Sequence, residues 1–266
     1  EGVLTTVSKE LTQLRRKQEK HAQARKERRR QRVRGGARTV GLAGYTNAGK
    51  SALFHALSGK EVLVEDKLFS TLETTVGRMQ MSPRVLLADT IGFIDELPSD
   101  LLDAFHATLD ESLQCDLLLL LVDSSDEITE LKRKLSTSRR EVLDRINEDS
   151  LRMKVVLTKS DVGGNIEAAQ EVVKMMGMPE AMVVSSHSRL GLEELRESIL
   201  YSLYGSKTTL IVSESESEGR NAEAYVSQIY DLGIVTGKDG YELTLWCGQA
   251  ELQRLIAKSD GRISIK

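Results

Sequence analysis

Eight consecutive residues constrain this chain more than anything else in it. Gly44-Tyr45-Thr46-Asn47-Ala48-Gly49-Lys50-Ser51 fit G-x-x-x-x-G-K-[ST]. Glycines at the two ends let backbone N–H groups face an anion, and a helix starting at the second glycine adds the positive end of its dipole. Such a loop cradles phosphates. Lys50 can reach the β- and γ-phosphates of a nucleotide, and the Ser51 hydroxyl can ligate magnesium. The motif needs a strand before it and a helix after it. Residues 39–43 read as a short apolar strand and residues 50–57 as a helix, so the context is the required one.

The rest of the chain alternates in the same way. Residues 75–81 and 85–88 read as a hairpin around Ser82-Pro83. Leu101, Leu102, Phe105, Leu109 and Leu113 make one face of a helix. Residues 117–122 are continuously apolar, as a strand buried on both faces must be. Helix is expected over 129–149, strand over 154–157, helix over 166–176, strand over 181–184 and helix over 192–204. This is the pattern of an α/β fold: a mostly parallel sheet with helices on both faces. After Gly205 a smaller α/β unit is expected, with strands at 210–212, 241–246 and 263–265 and helices at 222–232 and 249–257. The acidic run 213–219 reads as a solvated loop and Trp246 as core of the small unit. Before the sheet, residues 4–34 contain no Pro or Gly and read as helix, ended by Gly35-Gly36. The expected organisation is therefore 1–38, 39–205 and 206–266.

A phosphate loop does not choose between adenine and guanine. Thr158-Lys159-Ser160-Asp161, just after an expected strand, fits [NT]-K-x-D. A carboxylate at Asp161 can accept from the ring N–H and exocyclic amine of guanine, which adenine does not offer. Lys159 would lie along the base and brace the phosphate loop. Asp89-Thr90-Ile91-Gly92 follows the apolar strand 85–88 and fits D-x-x-G. Asp89 would hold magnesium through a water, and the Gly92 N–H would sense a γ-phosphate, ordering the following segment. Ser185-Ser186 stand after the last strand of the sheet, where backbone N–H groups can touch the guanine carbonyl. GTP and GDP are the ligands this set fits, with magnesium as cofactor. An ATP-using enzyme is the reading that Asp161 opposes.

Together with Leu68-Phe69-Ser70-Thr71-Leu72-Glu73, Asp89-Thr90-Ile91-Gly92-Phe93-Ile94, Leu97-Pro98, Leu101, Phe105 and Thr108-Leu109-Asp110-Glu111, the phosphate loop resembles the signature of the HflX family of ribosome-associated GTPases. The resemblance covers most of residues 39–204. It implies a GTP-hydrolysing switch, with Phe69, Ser70, Thr71, Leu72 and Glu73 in one switch segment and Asp89 to Phe93 in the other. Thr71 becomes the magnesium-ligating, γ-phosphate-sensing threonine, with Thr74 and Thr75 as competing candidates. Phe93 falls where related enzymes place a water-orienting Gln. It implies slow intrinsic hydrolysis assisted by a partner, or else is simply core packing. Asn47 is either a potassium ligand beside the phosphates or a good loop residue. The implied partner is the large ribosomal subunit with its rRNA, and the implied action is splitting idle or stalled ribosomes. The family's further N-terminal domain is represented here only by its end. With a start at Glu1 rather than Met, a longer parent chain is expected.

The charge distribution bears on the same partner. Between Arg15 and Arg38 stand twelve Lys or Arg and two Glu, a net of +10, whereas residues 39–266 carry −12 in a chain whose total is −3. A basic arm on an acidic body suits a polyanion. Arg25, Lys26, Arg28, Arg29, Arg30 and Arg32 are the candidate contacts to RNA phosphates, against the plainer reading of a solvated helix. The alternative function is a nucleotide-regulated RNA-binding or ribosome-assembly scaffold with incidental turnover. Cys115 and Cys247 are too few for a disulfide framework and read as buried thiols. His21, His55, His106 and His187 suggest no catalytic arrangement. No apolar run reaches the roughly 18 residues of a membrane span, and a cytoplasmic monomer with no membrane partner is expected.

Overall fold

Five leucines in succession, Leu117 to Leu121, have no polar face to offer water. A strand built from them is stable only at the centre of a sheet covered on both sides. The computed structural model of the protein describes residues 37–58, 75–80, 85–89, 113, 115–143, 152–213 and 222–266. In it, β4 (Leu117–Asp123) is buried along its whole length. Its neighbours in a six-stranded sheet are β1 (Arg38–Gly44) and β5 (Met153–Thr158). The order is β2-β3-β1-β4-β5-β6, with β2 (Thr75–Gln80), β3 (Val85–Asp89) and β6 (Met182–Val183) completing it. β1, β4, β5 and β6 are parallel, and β2 runs antiparallel to β3 at the edge.

Side-chain alternation divides the leucines of β4 between two cores. Leu117, Leu119 and Leu121 face α1 (Lys50–Ser58) and α4 (Leu192–Tyr204), meeting Leu53, Phe54, Leu57, Leu195 and Ile199. Leu118, Leu120 and Val122 face α2 (Ile128–Leu143) and α3 (Ile166–Met175), meeting Leu131, Leu135, Val142, Ala169, Val172 and Val173. Each buried leucine contributes about 2 kcal/mol, so this one strand anchors helices on both faces. Chain order reverses between β1 and β4: β1 is followed in sequence by strands on one side of it and then by β4 on the other. Ligands bind open α/β sheets at the carboxyl ends of strands at such a switch point. The phosphate-loop sequence leaves β1 there.

The second sheet has four antiparallel strands in the order β10-β7-β9-β8. They are β7 (Thr208–Val212), β8 (Ile234–Asp239), β9 (Glu242–Trp246) and β10 (Ile263–Ile265), with α5 (Ala222–Leu232) and α6 (Gln249–Lys258) between them. This is the β-α-β-β-α-β arrangement of ferredoxin-like folds. Tyr225, Val226, Ile229, Leu252 and Leu255 of the two helices cover Leu210, Leu243 and Leu245 of the sheet. β8 is an addition to the sequence reading, which had no element between 232 and 241. It is an edge strand whose last four residues are exposed, so it carries almost no apolar signal.

Two expectations are corrected. Trp246 is not core of the small unit. It lies 5% exposed in the same cluster as Leu192, Leu195, Ile199, Leu200, Leu203 and Tyr204. Alternation along β9 explains this: Leu243 and Leu245 point to α5 and α6, and Trp246 points the other way. The Lys207 ammonium stands 5.2 Å from the ring centroid and pairs with Glu197 of α4 at 2.9 Å. Residues 39–266 accordingly form one compact unit holding both sheets. Cys115 is only half-buried, since it stands in the turn before β4, whereas Cys247 is buried. The thiol of Cys247 is pushed up to about 11, chiefly by burial and secondarily by Glu251. The basic helix over 4–34, most of the helix over 101–113 and the acidic loop beyond Ser213 lie outside the described residues.

Candidate functional site

The loop 44–49 turns sharply enough that its backbone must leave ordinary conformations. Gly44 passes so close to β4 that a Cβ would lie 2.5 Å from Leu121 O, and Gly49 has φ +80°. Asn47 takes φ +64°, a conformation Asn tolerates better than most residues, so its presence has a purely local cause. Ala48 N–H donates to Tyr45 O and Leu53 N–H to Gly49 O, which closes the loop into the first turn of α1. Lys50 is folded over the loop, donating to Gly44 O at 3.2 Å and Tyr45 O at 3.0 Å. It is buried, and desolvation pushes its ammonium down to about 8 against the opposing charge of Asp89. A buried cation whose partners among the described residues are two carbonyls is one an incoming phosphate can recruit.

At the foot of α1, Ser51 Oγ donates to Asp89 Oδ2 at 3.1 Å. Two hard oxygen donors from β3 and α1 therefore converge, a set suited to magnesium. Among the described residues no group of three His, Cys, Asp or Glu side chains is placed to hold a metal by itself. Tyr45 is held from the side by α2: Arg133 and Lys134 lie 5.3 and 5.5 Å from its ring centroid.

The Thr158–Asp161 segment leaves β5 beside the phosphate loop. Thr158 Oγ1 lies 2.8 Å from Ala48 O and 3.1 Å from Val122 O, so one buried hydroxyl joins two loops and β4. Asp161 Oδ1 accepts from the Ser185 hydroxyl at 2.6 Å, and that hydroxyl accepts from Ser188 N–H. The Ser185 hydroxyl first, then its own backbone N–H, hold the Asp161 carboxyl below the usual range. The carboxylate is thus fixed and ionised. His187 Nδ1 stands 3.6 Å from Asp161 Oδ2, a neighbour that sequence reasoning did not place there.

Two site expectations change. Lys159 does not brace the phosphate loop. Its backbone is left-handed at φ +57° and its ammonium reaches the buried Asp123, 2.6 Å away, while Thr158 makes the link to Ala48. The Ser185 N–H is not available to a guanine carbonyl, because it donates to Leu190 O at 3.0 Å. Ser185 contributes through its hydroxyl, leaving Ser186 as the backbone candidate. Thr75 begins β2 opposite Asp89. Phe69, Ser70, Thr71, Leu72, Glu73, Thr90, Ile91, Gly92, Phe93 and the six basic RNA candidates lie outside the described residues.

A phosphate loop at the switch point of a mostly parallel sheet, tied by Thr158 to a second loop that presents a fixed carboxylate, makes this a P-loop GTPase fold. A family model described as 50S ribosome-binding GTPase matches residues 39–159. GTPase HflX of Thermofilum pendens is 32% identical over 260 residues, 96% of this chain and 59% of that protein. GTPase HflX of Gluconacetobacter diazotrophicus is 42% identical over 163 residues, 60% of this chain and 35% of that protein. Among solved structures, a GTP-binding protein from Sulfolobus solfataricus in complex with GDP aligns with TM-score 0.52 and 26% identity, covering 62% of this chain and 52% of that one. Over nearly its whole length the chain is similar to GTPases of the HflX family. It spans between about a third and three fifths of the length of these two relatives.

Proposed function

We propose that this chain is a guanine-nucleotide switch that binds GTP and GDP, hydrolyses GTP slowly by itself, and acts on the large ribosomal subunit. The observation that carries the nucleotide reading is the Thr158 hydroxyl 2.8 Å from Ala48 O. It fixes the base-reading loop against the phosphate loop, so that base and phosphates of one nucleotide can be held together. Gly44 to Ser51 would surround the phosphates, with Lys50 leaving its two carbonyls for the β- and γ-oxygens. Asp161 would accept from the guanine N–H groups, and Ser186 N–H would meet the guanine carbonyl. Ser51 directly, Asp89 through water, and Thr71 would hold magnesium. When bound, that ion neutralises charge on the phosphate oxygens.

Phe93 has no group to orient water, and this supports a turnover that depends on a partner. The family model and the +10 arm both favour the ribosome, with Arg25, Lys26, Arg28, Arg29, Arg30 and Arg32 on rRNA phosphates and subunit splitting as the outcome. The arm binds phosphates without reading sequence. Potassium at Asn47 is a subsidiary proposal; equal turnover in potassium and sodium buffers would remove it. The decisive experiment is GTP turnover alone, with purified large subunits, and with the same mass of unrelated RNA. A large rise with subunits only is expected. Equal, small effects of subunits and bare RNA would leave the nucleotide reading standing and overturn the ribosomal one, in favour of a scaffold.

A further inference from the structure

The segment Asp123-Ser124-Ser125, where β4 ends, belongs to none of the nucleotide motifs, yet it is bonded directly to Thr158 and Lys159. Asp123 is 7% exposed. Its Oδ2 meets the Lys159 ammonium at 2.6 Å, and its Oδ1 accepts from Ser125 N–H at 3.0 Å and Ser125 Oγ at 2.6 Å. Ser124 sends both its N–H and its hydroxyl to Thr158 O, at 3.0 and 2.7 Å. Gly164, beyond Asp161, lies so close that a Cβ there would overlap Ser124 O, and its φ is +115°. Two loops from different strands are therefore packed backbone to backbone, with one ion pair at their centre.

We propose that Asp123 is a positioning residue for base recognition, fixing the Lys159 side chain so that its aliphatic stem forms one wall of the guanine slot. This rests on the nucleotide reading above and adds a residue to it. A lysine stem has four rotatable bonds. Unanchored, it loses that freedom only when a base arrives, and binding weakens accordingly. Anchored on a buried carboxylate, the stem is ordered beforehand. The left-handed backbone at Lys159 turns the side chain toward β4 and so makes the anchor reachable. Because the wall touches only the base, its loss must weaken GDP and GTP by the same factor. A residue serving the γ-phosphate would weaken GTP alone.

The test is fluorescent GDP and GTP binding by the full chain and by Asp123→Asn, Lys159→Met and the double variant. Asn keeps the size of Asp and its acceptor for Ser125 while removing the charge. Asp123→Asn is expected to weaken GDP and GTP equally, by about tenfold, the scale of one charge-assisted hydrogen bond. Added to Lys159→Met, it should cost no more than about twofold further, because the partner is already gone. Independent, multiplying losses, or a loss confined to GTP, would overturn the proposal. So would wild-type affinity in Asp123→Asn. Nucleotide-free melting of each variant separates a folding defect from a binding defect: an effect on affinity through lost folding would survive in the Lys159→Met background. If the unaltered chain binds neither nucleotide, the nucleotide reading itself fails, which is a different outcome.

Discussion

Replacing Thr158 by Val isolates the bond that joins the 44–51 loop to the 158–161 loop, the one proposed to read the base. The two side chains are nearly isosteric, and Thr158 is 2% exposed, so no cavity opens and no new surface appears. What disappears is one buried hydroxyl whose proton is shared between Ala48 O at 2.8 Å and Val122 O at 3.1 Å. Val122 lies opposite Leu157 in the β4–β5 ladder, so the carbonyl that suffers is chiefly Ala48 O. Stranding a buried acceptor costs about 1–3 kcal/mol. At about 1.5 kcal/mol, a unit of this size should melt about 3–6 °C lower. The bond is present before nucleotide arrives, so affinity for GDP should fall by no more than that energy allows, about tenfold. Thermal melts and GDP titrations of Thr158→Val and Thr158→Ser would decide the matter. Ser retains the hydroxyl and should bind GDP as the wild type does. If Val melts with the wild type, or Ser loses as much affinity as Val, the link between the loops is not what holds the site together.

Other perturbations follow from the same geometry. Asp161→Asn exchanges one acceptor for a donor, so guanine nucleotide affinity should fall by about tenfold or more. Xanthine nucleotides, which carry a carbonyl in place of the exocyclic amine, should then be preferred; competition between GDP and XDP reads this, and an unchanged preference would contradict it. Trp246→Ala should cost about 3–5 kcal/mol and lower a single far-UV melt. Two separate transitions, with only the smaller moved, would mean that the ferredoxin-like unit does not share the core of the large sheet. Burial opposes the Asp123 charge, but Lys159 and Ser125 outweigh it, and its carboxyl titrates below the usual range. Its contribution to stability is therefore complete above the unfolded value near 4 and is lost as pH falls through the lower folded value. The stability gap between wild type and Asp123→Asn, measured in urea, should be full at pH 6 and shrink below about pH 4; a gap independent of pH would show that the ion pair contributes nothing.

Much of this protein was legible in the order of its residues. A glycine-bracketed loop between an apolar strand and a helix specifies a backbone path, because few other sequences tolerate φ values such as those of Gly49 and Asn47. Five consecutive leucines specify a central strand, because no other position satisfies them. Local rules of this kind act over a few residues and can be read from a few residues. The partners of Lys159 and Trp246 could not be read that way. Asp123 lies 36 positions before Lys159 and carries no motif, and only the parallel pairing of β4 with β5 brings Asp123 opposite Thr158. Trp246 looked like core and was core, but which core depended on a pleat phase and on α4 standing across from it. The edge strand β8 was invisible because exposed residues leave no apolar period. Sequence determined most of the elements, those with an apolar period or a strained loop; the long-range pairing of those elements decided which buried carboxylate meets which lysine, since contact between distant residues is a property of the packed chain and of no segment within it.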